Sequence, residues 1–119
     1  MKIISKEALM ARVQEALHWL AEPYDKQIDH LKEMKVWPCA DELALELGDV
    51  APILPEALER GEISREIELA VRQVSDKLDE MSGQENSHLW TPDALASRGH
   101  WEAVRSLALQ ALRQIKEDG

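Results

Sequence analysis

Two pairs of carboxylates are the first residues in this chain whose spacing could do chemistry. Glu56 and Glu59 stand three apart, and so do Asp76 and Asp79. On a helix an i, i+3 pair shares one face. Two such pairs facing each other could give Mg²⁺ its oxygen ligands and leave room for a substrate's phosphates. The other reactive types are sparser. Cys39 is the single cysteine, so an internal disulfide and a cysteine-built metal cluster are excluded. It has no adjacent histidine or basic pair to lower its pKa, although a helix start favours thiolate. His18, His30, His88 and His100 show no i, i+4 pairing and no His-Glu-x-x-His pattern. His30 is expected in solvent, and His88 and His100 in loops or caps. No glycine-rich phosphate loop and no Gly-x-Ser-x-Gly elbow is present. We therefore expect no catalytic residue, no metal ligand and no cofactor.

The elements that would position these residues are helical. The chain has many Ala and Leu, no Phe, one Tyr and four Trp, a composition that loses little side-chain freedom in helices. Ser5 can cap a helix whose inward face is Leu9, Val13, Ala16, Leu17 and Leu20. Pro23 ends it and suits the first turn of the next helix, with Tyr24, Ile28, Leu31 and Met34 inward and Lys35 near the carbonyl pole. Trp37-Pro38 breaks the chain. Cys39 stands where a capping box would have Ser or Thr, Glu42 takes the matching acidic position, and Asp41 is an alternative cap. The third helix is expected to stop at Gly48. Pro52 and Pro55 bracket Ile53-Leu54, and Gly61 stops the short helix that Pro55 begins.

The longest apolar stripe follows: Ile63, Ile67, Val71, Val74, Leu78 and Met81, closed by Gly83. Opposite it, Glu68, Arg72 and Asp76 form an i, i+4 ladder. Gln84–Trp90 reads as a loop. Thr91 then caps, Pro92 starts a short helix, and Trp90 can pack on Leu95 as a staple. After Arg98-Gly99 a last helix turns Trp101, Val104, Ala108, Ala111, Leu112 and Ile115 inward. Trp37, Trp90 and Trp101 are expected in core or staple positions, while Trp19 lies off the main apolar face. No segment alternates like a strand. The expectation is an all-α single domain over residues 1–119, a compact bundle of about five main helices with short one-turn helices near 52–60 and 92–97.

Two motif resemblances can now be tested against those elements. The paired acids resemble the acidic motifs of all-helical nucleotide pyrophosphohydrolases, which would imply Mg²⁺-dependent chemistry on nucleotides. At about 100° per residue from Ile63, the apolar stripe centres at roughly 40°, Asp76 at roughly 220° and Asp79 at roughly 160°. Both aspartates thus point to water, and the family's second metal-binding helix pattern has no match. Ala44, Gly48 and Leu54 resemble a helix-turn-helix. The recognition helix would then span 52–60, with two prolines, Glu56, Glu59 and Arg60 as its one cation. It lacks the donors that read base edges, and acids would repel the phosphates.

Charge placement favours a different partner. The net charge is −9. Residues 1–35 and 86–119 are each balanced, and residues 36–85, with thirteen acids and four bases, carry all of it. Such a centre repels nucleic acid and attracts basic surfaces. In helical projection Glu42, Glu46 and Asp49 cluster within about 60°. Ala40, Leu43, Ala44 and Leu47 face the other way, and Leu45 falls outside both groups as an exposed apolar contact beside the acids. Glu56, Glu59 and Glu62 extend the negative field. The sites expected to bind protein are therefore Glu42, Leu45, Glu46, Asp49, Glu56 and Glu59. The opening residues carry one short apolar pair and then charges, unlike a signal peptide, and no apolar run approaches the roughly 20 residues that span a bilayer. A cytoplasmic setting with no membrane partner is expected, and homodimerisation through an apolar helix face stays open. Small, acidic, cysteine-poor helical proteins of this kind look like the immunity proteins that neutralise basic nuclease or antibacterial toxins, a resemblance of type and not of motif.

Overall fold

Ser5 opens the first helix through its hydroxyl, whose Oγ accepts from the Ala8 N–H at 3.1 Å. In the computed structural model residues 5–37, 39–97 and 99–118 are described, and all that follows concerns them. Expectations resting on residues 1–4, Pro38 and Arg98 lie outside that set. Seven α-helices follow one another: α1 (Lys6–Ala21), α2 (Tyr24–Glu33), α3 (Glu42–Val50), α4 (Leu54–Glu59), α5 (Arg65–Glu80), α6 (Pro92–Ala96) and α7 (His100–Asp118). The fold is all-α, with five main helices and two short ones.

The apolar periodicity converts directly into packing. All five inward residues of α1 and all six of the α5 stripe are buried. On α7, Trp101, Val104, Ala108, Ala111 and Ile115 are buried and Leu112 is half-buried against them. α7 lies against both α1 and α5, and α3 covers α1. The buried side chains form one cluster to which every helix contributes. Each fully buried Leu or Val there contributes on the order of 1.5–3 kcal/mol from removal of apolar surface.

α2 departs from its expected face. Tyr24 and Met34 are exposed, while Leu31 and Gln27 are buried. Tyr24 is the first residue of this ten-residue helix and Met34 its C-cap, so both lie at its ends, whereas Gln27 and Leu31 lie within it. Gln27 is drawn in by hydrogen bonds. Its Nε2 donates to the carbonyls of Trp19 (3.0 Å) and Leu20 (3.3 Å) at the end of α1. Its Oε1 accepts from Arg105 Nη2 at 2.8 Å. Arg105 also donates to the carbonyls of Leu95 (2.6 Å) and Glu22 (3.2 Å), and its Nη1 lies 3.6 Å from Glu102. One guanidinium on α7 therefore joins α1, α2 and α6. Burial lowers its pKa from the ordinary arginine value, and Glu102 works the other way. A guanidinium in a protein stays charged regardless.

Two helix ends use the same lock with different residues. After α4, the Glu62 N–H reaches the Ala57 carbonyl and the Gly61 N–H that of Leu58, with Gly61 at φ 72°. After α2, Val36 reaches Leu31 and Lys35 reaches Lys32, with Lys35 at φ 62°. Both are Schellman closures. A lysine in the left-handed region crowds its Cβ against the following carbonyl, at a cost of about 1 kcal/mol.

Gly48 behaves otherwise than expected. It sits inside α3, which runs on to Val50 and passes through a 3-10 turn (Ala51–Ile53) into α4. The break comes from Pro52, which has no N–H to donate and whose ring clashes with the carbonyl four residues back. Residues 84–90, expected as a loop, form a longer 3-10 turn.

Three stability measurements check this account. Lys35→Gly is expected to raise the unfolding free energy by about 0.5–1 kcal/mol in urea. Gly48→Ala adds a Cβ that meets nothing within 4 Å and is expected to gain up to about 1 kcal/mol from helix propensity. Arg105→Met strands the Gln27 amide oxygen and is expected to cost about 3 kcal/mol. Adding Gln27→Met should then cost less than the two single losses summed; strict additivity would refute the shared network.

Candidate protein-binding site

α3 begins without a side-chain cap. Asp41 has helical backbone angles, and the first turns close by Glu42 N–H to Cys39 (3.2 Å), Leu43 to Ala40 (3.1 Å) and Ala44 to Asp41 (3.0 Å). Neither Cys39 nor Asp41 caps the helix. The Asp41 carboxylate is left at the surface. Leu43, Leu47 and Val50 anchor the inner face, so the outward line is Asp41, Leu45 and Asp49, each one turn from the next. Leu45 is 51% exposed, the most exposed large apolar residue among those described. Glu42 and Glu46 are half-buried on the neighbouring flank.

The structure adds a second wall that the sequence did not announce. At the end of α5, Asn86 Nδ2 donates to the carbonyls of Ser82 (2.9 Å) and Glu80 (3.2 Å), and Ser82 Oγ donates to Leu78 (2.9 Å). These bonds fold the 84–90 turn back on the helix. Trp90 Nε1 donates to the Met81 carbonyl at 2.7 Å, and its ring meets Trp101 edge-on at 5.3 Å. Trp101 in turn donates to the Leu89 carbonyl at 2.6 Å. Both indoles thus use their one donor on backbone, which fixes the ring of Trp90 in place. Between this wall and α3 lies a groove of about 580 Å³, lined by Asp41, Leu45, Gly48 and Asp49 of the α3 side and by Gly83 and Trp90 of the wall, among others.

A smaller cleft of about 280 Å³ shares Gly48 and runs between Pro52, Pro55 and α5. Here the expected ladder forms its Glu68–Arg72 step, but not on a solvent face. Glu68, read as outward, is buried because α4 and the preceding 3-10 turn pack across that flank of α5. Its Oε1 accepts from Arg72 Nε at 3.0 Å, and this hydrogen bond, with the charge of Glu68, raises the arginine pKa; Asp76 adds a lesser attraction.

The paired acids do not converge. Glu56 is largely exposed, with Arg60 at 3.9 Å, and Arg60 pairs more closely with Glu62 at 3.0 Å. Glu59 and Asp76 are exposed, and Asp79 lines the smaller cleft. Among the described residues no group of three or more His, Cys, Asp or Glu is placed to hold a metal ion. Gly48 makes no turn, so α3 and α4 lack the helix-turn-helix corner.

The histidines and tryptophans find ordinary partners. His30, expected in solvent, is half-buried and stacked on Trp19, with centroids 3.6 Å apart and planes 8° apart. His18 lies 3.0 Å from Glu22, and His100 Nδ1 lies 3.0 Å from Lys77 Nζ. Lys32 stands 5.3 Å from the Trp37 ring. Cys39 is exposed with a free thiol. No helix among the described residues is long and apolar enough to cross a membrane.

Of the residues singled out from sequence, the structure brings Leu45 and Asp49 to the groove and leaves Glu42, Glu46, Glu56 and Glu59 outside its lining. Asp41 was missed as a site residue, though its place one turn before Leu45 was a usable signal. Trp90 had no such signal, because only the tertiary fold brings residues 82–90 beside α3. The chain matches no protein-family model, no curated protein and no solved structure.

Proposed function

We propose that this chain is a non-enzymatic binding protein whose acidic α3 surface engages a basic surface on another protein. One observation carries the reading: a half-exposed leucine stands between two aspartates on a helix whose inner face is already committed to the core. Apolar contact supplies affinity at such a centre, and surrounding charge raises the encounter rate and selects the partner's sign. Glu42, Glu46, Glu56 and Glu59 add to the negative charge of α3 and α4. Basic nucleases and antibacterial toxins are partners of this chemistry, and the protein would then act as an immunity protein in the cytoplasm, blocking the toxin by bulk and charge.

The test is capture of a basic protein encoded beside this chain, measured over a salt series. Capture should weaken steeply as salt rises. Glu42→Lys combined with Glu46→Lys, checked for native circular dichroism, should reduce it by about tenfold at low salt. Undiminished capture by that variant overturns the proposal. So does Mg²⁺-dependent thermal stabilisation accompanied by release of pyrophosphate from nucleotides.

A further inference from the structure

The groove beside α3 has a pattern more specific than negative charge. Asp41 (the N-cap residue of α3), Leu45 and Asp49 fall at i, i+4 and i+8, so the backbone rises about 12 Å between the two aspartates with the leucine midway. All three line the groove, with Trp90 on its other side and no cation among the described lining residues. The Trp90 ring cannot swing away, because its N–H is held by Met81 and its edge contact by Trp101. An indole and two carboxylates lining one groove suit a segment that carries both apolar and cationic side chains.

The spacing fits an extended occupant with few residues. An extended strand rises about 3.3 Å per residue and turns alternate side chains to one face. Residues i, i+2 and i+4 of such a strand therefore span about 13 Å on one side, close to the separation of the aspartates. We infer that the groove receives an extended segment of the basic partner, with cationic side chains at i and i+4 meeting Asp41 and Asp49 and an apolar side chain at i+2 packing on Leu45 and Trp90. This rests on the reading of the chain as a binder of basic proteins and names the part of the partner that is recognised. A second copy of the chain is a poor occupant, since the net charge of −9 sets like charges against each other. Nucleic acid and anionic lipid are repelled for the same reason.

The test titrates the isotope-labelled full chain with the blocked peptide acetyl-Arg-Ala-Leu-Ala-Arg-amide, and in parallel with acetyl-Arg-Arg-Ala-Ala-Leu-amide. The two have the same composition and charge. The first should bind about fivefold more tightly, since only it pairs both cations at once. Its shifts should centre on the amides of Leu45, Asp49 and Gly83 and on the indole N–H of Trp90. Gly48→Leu, which extends into the groove from an open helical position, should weaken the first peptide by about tenfold. Asp41→Asn with Asp49→Asn, which removes charge without volume, should abolish the difference between the peptides. Equal affinities, or shifts confined to Glu42, Glu46, Glu56 and Glu59, overturn the groove assignment and leave the broader acidic-surface reading standing. No shift with either peptide, together with no salt-dependent capture of a basic protein, overturns both.

Discussion

Around Arg105 the fold relies on hydrogen bonds where most of the molecule relies on apolar contact. The guanidinium presents donors in a rigid plane, and the Leu95 carbonyl, the Glu22 carbonyl and the Gln27 amide each take a share. Four helices thereby acquire a fixed relation to one another. Apolar packing alone tolerates small slides and rotations, whereas this half-buried fork resists them, because a displaced Gln27 oxygen is stranded away from water. The consequences travel along α7. Trp101 lies one turn before Arg105, on the same side of the helix, and its N–H holds the Leu89 carbonyl. A single helix face thus places α2 and α6 by one residue and the 84–90 turn by another. The wall of the groove depends on that registration.

The acidic middle of the chain is less uniform than its net charge implies. Arg60 is engaged by Glu62 and Glu56, Arg72 by the buried Glu68, and Lys77 by Glu80 and His100. Each pair contributes little to stability where it is exposed, yet each cancels part of the local field. Such cancellation is concentrated on α4 and α5. No ion pair is formed among the described residues by Asp41, Glu42, Glu46 or Asp49, so the charge of α3 is left uncancelled by close pairing. Pairing as well as composition shapes the local field.

Much of the architecture was legible because helical period and burial report the same fact. The α1 and α5 stripes were complete in the sequence, and the hydroxyl cap at Ser5 needed only local chemistry. Tyr24 and Met34 show where period stops helping: it gives an angle, and burial also requires a neighbour at that height. Gly48 shows that a glycine permits a left-handed turn without demanding one, and Pro52 a few residues later ended the helix instead. Glu68 went inside because α4 folds across α5, a packing choice no local pattern encodes. The site divides the same way. Asp49 was visible as one of the clustered acids and Leu45 as an exposed apolar residue beside them, while Trp90 joins them through contacts distant in sequence.

The uncapped start of α3 has a mechanical consequence. A nine-residue helix whose first turn is held by backbone bonds alone frays at small cost, and its anchor is a short row of buried residues. The opposite side is pinned through two indoles to the ends of α5 and α7. The groove thus has one wall tied down by side-chain hydrogen bonds and one whose first turn is held by backbone bonds alone. Were it to receive a chain in the way proposed, its width would adjust at the start of α3 while the indoles stayed in place.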